Sequence, residues 1–159
     1  MDEIAKKALL KAENLCSRGE KCKHDVIQKL FDWKVPSEFH EQIIEKLVEN
    51  NFLNEERFVS AFINDKLKFQ KWGRKKIEYA LAQKHISASL YQQYFENHNL
   101  EEYSERLLAL LQKKVSQIKA KDKNEAKQKL INFALSKGYE YAVVAKLLNE
   151  VIKTWEKEK

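Results

Sequence analysis

The stretch KFQKWGRKKIEYAL, residues 68–81, sets Lys68, Lys71, Arg74, Lys75 and Lys76 ahead of its first acid, with Phe69, Trp72 and Gly73 among them. Cations interleaved with aromatic faces are chemistry for holding an anion, either phosphate or carboxylate. Arg74, Lys75 and Lys76 follow Gly73 directly, so a helix opening there carries three cations in its first turn. The helix dipole disfavours each by roughly 0.3–1 kcal/mol at low salt. A helix expected from Asn54 obeys the dipole, with Glu55 and Glu56 at its start, so the chain is not indifferent to the rule. Free amides, dipole and cations together would make an anion site at the start of the later helix. The plainer reading is that lysines decorate a solvated helix face. Phe69 falls on an apolar stripe and is expected in the core. Trp72 lies off that stripe, where packing over the joint and stacking on a partner both fit. Gly73 interrupts the long basic amphipathic helix that a membrane foot would need.

A second basic patch runs through Lys119, Lys121, Lys123, Lys127 and Lys129. The net charge of +6 is concentrated there: residues 105–159 hold thirteen basic and seven acidic groups, whereas residues 1–53 hold nine and ten. Such a balance favours acidic partners, nucleic acid or an acidic protein surface. Chemistry of other kinds finds little support. Gly19, Gly73 and Gly138 stand alone, which excludes a glycine-rich phosphate loop and argues against nucleotide hydrolysis. His24, His40, His85 and His98 lack the four-residue spacing of a helical metal site and read as surface or helix-end residues. Glu41, Glu45 and Glu49 share an exposed helix face, where nothing would shift their pKa values toward acid–base work. Cys16 and Cys22, even with His24, match no common zinc spacing, and reduced thiols are the expectation. No catalytic constellation, cofactor or metal is expected.

The elements that must position the cations are helices. Among 159 residues there are three glycines and one proline, 34% are charged and 43% hydrophobic, the balance of a helical protein. The acidic, amphipathic start and the lack of any long uncharged apolar run point to a cytoplasmic chain without a membrane segment. Apolar spacing predicts helices over about 2–18 and 23–33, four more opening near Pro36, Asn54, Gly73 and Ser87, and three over about 101–119, 124–137 and 140–155. Trp33 and Trp155 are expected to pack internally.

Nine helices in three groups of three invite a repeat. A shift of 51 residues aligns Val26, Leu30, Val35, Phe39, Ile43 and Ile44 with Ile77, Leu81, Ile86, Leu90, Tyr94 and Phe95. A further shift of 53 reaches Leu130, Ala134, Tyr139, Val143, Leu147 and Leu148, and the helix break is preserved each time. The expected fold is all-α, three tandem three-helix repeats (residues 1–53, 54–100 and 101–159) in an elongated, curved array. In this alignment Lys23, Arg74 and Lys127 are equivalent, as are Lys76 and Lys129, so a basic strip along one face is expected.

FLNEERFVSAF (52–62) followed by KWGRKKIEYALAQKHI (71–86) resembles the middle-repeat signature of the RecX family of bacterial recombination regulators. ALLKAENLCSRGEKCKHDVIQKL and EAKQKLINFALSKGYEYAVVAKLL resemble that family's first and third repeats, so the likeness covers essentially the whole chain. The family often has glycine where this chain has Lys34, Asn51 and His85, and only Gly138 keeps it. Asn tolerates the left-handed backbone; Lys34 and His85 call for another explanation or a different turn. The resemblance implies a non-enzymatic, monomeric regulator. It would bind the RecA recombinase filament, lie along its groove and inhibit strand exchange, ATP hydrolysis and co-protease activity, with consequences for DNA repair and the SOS response. Single-stranded DNA is a further candidate partner, and a direct DNA-binding protein of helix-turn-helix type is the alternative.

Overall fold

The computed structural model describes residues 1–97 and 99–158, and among these it is all-helical: α1 Glu3–Ser17, α2 Lys23–Asp32, α3 His40–Glu49, α4 Glu55–Lys68, α5 Arg74–Gln83, α6 Ala88–Glu96, α7 Leu100–Val115, α8 Lys123–Ser136 and α9 Tyr141–Lys157. His98, one of the four histidines, lies outside the described residues. Polar caps mark several starts. Asp2, Asn54, Asn99 and Asp122 each accept an amide hydrogen bond at the head of a helix, satisfying donors that the first turn leaves without partners. Pro36 precedes a short 3-10 turn, Ser37–Phe39, rather than standing inside α3.

The repeat is visible in burial. At the first, second, third and sixth aligned positions every residue is buried: Val26, Ile77 and Leu130; Leu30, Leu81 and Ala134; Val35, Ile86 and Tyr139; Ile44, Phe95 and Leu148. Phe39, Leu90 and Val143, at the fourth, are half-buried in all three. The turn between the second and third helix of each group is conserved in geometry too. Lys34, His85 and Gly138 occupy the equivalent position, all with positive φ (60°, 60° and 99°). In each, the next residue's amide reaches back five residues, Val35 to Leu30, Ile86 to Leu81 and Tyr139 to Ala134, at 2.9–3.1 Å. This is the Schellman closure, which needs a left-handed residue. The turn is therefore the same with or without glycine, and Lys34 and His85 simply bear the steric cost. Replacing Lys34 by glycine should raise stability by about 0.5–1 kcal/mol, after the extra chain entropy of glycine is subtracted. Asn51→Gly, at another left-handed turn (φ 64°), should gain less; urea denaturation of the two variants checks the order.

Contacts gather the chain into two compact units, Met1–Phe62 with Leu81–Tyr91, and Ile63–Ala80 with Gln92–Lys159. In the first, α1, α2 and α3 enclose Ala8, Ala12, Val26, Leu30, Ile43 and Leu47, with Trp33 and Phe52 packed against them. In the second, α7, α8 and α9 pack together over Leu107, Leu111, Leu130, Val144, Val151 and Trp155. By sequence the second unit holds nineteen basic and twelve acidic residues (+7), and the first eleven and twelve (−1). The positive excess thus belongs to one unit.

Candidate partner-binding surface

α4 and α5 are joined by residues 69–73, and the second unit holds this joint by its backbone. Gly73 N–H donates to the Lys137 carbonyl at 2.7 Å, Arg74 N–H to the Tyr103 hydroxyl at 2.9 Å, and Lys75 N–H to the Gly138 carbonyl at 2.9 Å. Tyr139 Oη–H donates to the Lys71 carbonyl at 3.0 Å, and Tyr103 Oη–H to Glu140 at 2.5 Å. Burial pushes the Tyr103 phenol far above its ordinary pKa; the Arg74 amide pulls the other way and Glu140 adds to the rise. Burial likewise lifts Tyr139 to about 12, against the pull of Arg106. Both phenols stay neutral donors at any physiological pH, so the joint is not titrated apart.

This overturns the expected anion site. The amides of Arg74 and Lys75 are not free: the α8–α9 turn and Tyr103 occupy them. The head of α5 is a structural contact, and two of its three cations, Arg74 and Lys76, are absorbed by neighbouring groups. The Arg74 guanidinium donates to Glu78 at 2.5 Å and lies 4.8 Å from the centre of the Phe95 ring. Lys76 and Lys66 place their ammonium groups 4.6 and 4.7 Å from the centre of the half-buried Trp72 ring. Trp72 is thus a platform for two of the protein's own cations.

Phe69 departs from its expected core position and is 77% exposed. The buried stripe of α4 is Val59, Ile63 and Leu67, four residues apart, and Phe69 sits two residues beyond Leu67, on the opposite side and past the helix end at Lys68. Around it, the ammonium groups of Lys68, Lys71 and Lys75 are exposed and make no ion pair among the described residues. Lys71 has left-handed backbone, φ 58°, which holds it on the joint between the helices.

The second patch is more heavily neutralised. Lys123 pairs with Glu156 at 2.9 Å and Lys129 with Glu125 at 3.4 Å; Lys129 also donates to the Lys119 carbonyl. Lys119 and Lys121 are exposed, and Lys127 is half-buried. Lys23 and Arg74 each open a helix, but Lys127 lies a full turn inside α8, because Asp122 starts that helix earlier. The three keep their place in the repeat, each three residues before a fully buried residue (Val26, Ile77 and Leu130), but only the first two stand at a helix start.

Sequence reasoning missed the tyrosine network and the part played by Arg57. Its guanidinium donates to Glu20 at 2.9 Å, to the Asn51 side chain at 3.0 Å and to the Asn51 carbonyl at 3.0 Å, clasping the α3–α4 turn. The histidines read as helix-end residues do sit there, His24 in α2, His40 heading α3 and His85 following α5; His40 is also buried, 2.9 Å from the Val35 carbonyl. Cys22 is buried, which pushes its thiol up to about 11. No group of three or more potential metal ligands occurs among the described residues, and no helix there is long and apolar enough to cross a membrane.

Comparison with known proteins places this geometry in context. The family model for the second three-helix domain of RecX matches residues 54–94, and that for the third matches residues 101–148. "Regulatory protein RecX" of Clostridium perfringens (strain 13 / Type A) is 32% identical over 158 residues, covering 92% of this chain and 74% of the relative. The protein of the same name from Clostridioides difficile (strain 630) is 26% identical, covering 95% and 71%. A crystal structure of regulatory protein RecX superposes with a TM-score of 0.84 at 20% identity, covering 92% of this chain and 74% of that one. RecX from Lactobacillus salivarius gives 0.78 at 18%, covering 95% and 98%. Sequence likeness over nearly the whole chain, two matched three-helix domains and a shared all-helical fold agree: the chain belongs to the RecX family of regulatory proteins.

Proposed function

We propose that this protein binds the filament that the RecA recombinase forms on single-stranded DNA and restrains its ATP hydrolysis, strand exchange and co-protease activity. The observation that carries the reading is the cationic joint: Lys68, Lys71 and Lys75 are exposed and make no ion pair among the described residues, on a backbone fixed by the tyrosine network, in the unit that holds all the excess positive charge. A preorganised cationic surface loses little entropy on meeting an anionic partner and draws it in by long-range attraction. Acting as a cytoplasmic monomer, with its three repeats laid along the filament groove, the chain would obstruct DNA access and oppose the rearrangements of the reaction cycle.

The test follows ATP hydrolysis by RecA on single-stranded DNA at physiological salt, with increasing amounts of this protein. Hydrolysis should fall, and the triple variant Lys68→Ala/Lys71→Ala/Lys75→Ala should need at least about tenfold more protein for the same effect, with unchanged helicity. Unaltered hydrolysis, with bare DNA bound as tightly as the filament, would replace this reading by that of a direct DNA-binding protein.

A further inference from the structure

Within the second unit, a cavity of about 370 Å³ opens beside the end of α4 and the start of α7, lined by Asn64, Lys68, Tyr94, Asn99, Glu102 and Arg106 among others. Arg106 is its unusual member. Only 16% of its side chain is exposed, its Nε is fully buried, and among the described residues no atom accepts a hydrogen bond from that nitrogen. Its ion pair with Glu102, Nη2 to Oε2, is 3.9 Å long, beyond hydrogen-bond reach, and Glu102 is 61% exposed. A guanidinium largely taken out of water without a bonded counter-ion is costly, and its Nη groups, rather than the sealed Nε, are what an anion in the cavity would meet.

Beside the Glu102 carboxylate, the cavity presents two further donors, from Asn64 and Lys68. Tyr94 Oη–H donates to Asn64 Oδ1, which fixes that amide and leaves its NH₂ without a protein acceptor among the described residues. Lys68 is exposed there and makes no ion pair among the described residues. The Glu101 and Glu102 amides contribute nothing, because Asn99 Oδ1 already accepts from both. A guanidinium fork, an ammonium and an amide NH₂ make a donor set for a tetrahedral oxyanion. The cavity is roomier than a phosphate group alone requires, leaving space for an attached sugar.

We propose that this cavity is a phosphate-binding pocket, in which Arg106, Lys68 and Asn64 hold the oxyanion of a nucleotide or of a nucleic-acid strand. Glu102, loosely held and mostly in solvent, swings aside as the phosphate enters. The +7 charge of the surrounding unit favours a phosphate over a neutral occupant. The pocket extends the filament reading by naming one chemical contact, and its test needs no recombinase, so that the two can fail separately.

Calorimetric titration of the full chain with inorganic phosphate, dAMP, a thymidine oligonucleotide and glutamate decides it. Phosphate and dAMP should bind saturably at one site, and Arg106→Gln should weaken both by at least about tenfold. Lys68→Gln, a change at an exposed residue that leaves the fold intact, should weaken both several-fold, and it decides the matter if Arg106→Gln does not fold. If oligonucleotide affinity falls in parallel, the phosphate comes from a strand; if only phosphate and dAMP respond, it comes from a free nucleotide. The proposal is overturned by the absence of saturable phosphate binding, by affinities that neither variant changes, or by glutamate binding as tightly as phosphate, which would point to an acidic peptide.

Discussion

Gly73→Ala is expected to cost about 3 kcal/mol or more, a large effect for a single added methyl group. A Cβ at Gly73 would overlap the Tyr139 amide nitrogen and the Gly138 carbonyl carbon, and would stand 2.5 Å from the Gly138 oxygen. These are backbone atoms of a closed Schellman turn and cannot rotate away. Relief would need the head of α5 to separate from the α8–α9 turn, breaking Gly73 N–H to Lys137 and Lys75 N–H to Gly138 together. Gly138→Ala should be at least as severe, since its Cβ would meet Lys76 Cβ and stand 2.6 Å from the Lys76 amide nitrogen, in a backbone at φ 99° that side chains rarely adopt. Gly19→Ala is the control: nothing lies within 4 Å of the added methyl, and its effect should stay within about 0.5 kcal/mol. Urea denaturation of the three variants tests the order. A loss below about 1 kcal/mol for Gly73→Ala would mean that the two backbones are not pressed together.

That contact also shows where sequence reasoning stops. The repeat was legible because helical burial has a period, and six aligned positions carry it through residues as different as Ala134 and Leu81. Asn54 was legible as a cap because its partner, the Arg57 amide, is three residues away. What determines the head of α5 is remote: Gly138 and Tyr103 lie 65 and 29 residues from Gly73 and Arg74. No local pattern says that they occupy the amides, so three cations there read as a site when they are largely a by-product of packing. The clue was in view, since a second glycine stands at the α8–α9 turn and two glycines can press their backbones together. Phe69 failed differently. Stripe assignment over one short helix leaves two phases, Ala61 with Phe69 or Ile63 with Leu67, and an aromatic residue favoured the wrong one. Lys68, Lys71 and Lys75, which make no ion pair among the described residues, were in the predicted set, but only the structure separates them from Arg74 and Lys76.

Arg57→Ala should destabilise the protein by about 2–3 kcal/mol, although more than a third of the side chain is exposed. The Arg of the NEER motif reaches back over the α3–α4 turn, where Asn51 is left-handed and the carbonyls at the end of α3 need partners. Its Nη2 donates to the Asn51 carbonyl at 3.0 Å and approaches the Phe52 carbonyl at 3.5 Å, Nη1 donates to Asn51 Oδ1 at 3.0 Å, and Nε donates to Glu20 at 2.9 Å. Removing the guanidinium frees these acceptors at once and strips the counter-charge from Glu20, whose second oxygen is already buried without a partner. Loss of a charge-assisted pair is worse than its mere absence, because the carboxylate stays behind partly desolvated. Arg57→Lys should recover little, since one ammonium cannot span Glu20 and the turn as a planar fork does. Arg57→Ala combined with Glu20→Gln should recover part of the loss by removing the stranded charge. A double-mutant cycle in urea measures the coupling; a coupling below about 0.5 kcal/mol would assign the Arg57 effect to the turn carbonyls rather than to the ion pair.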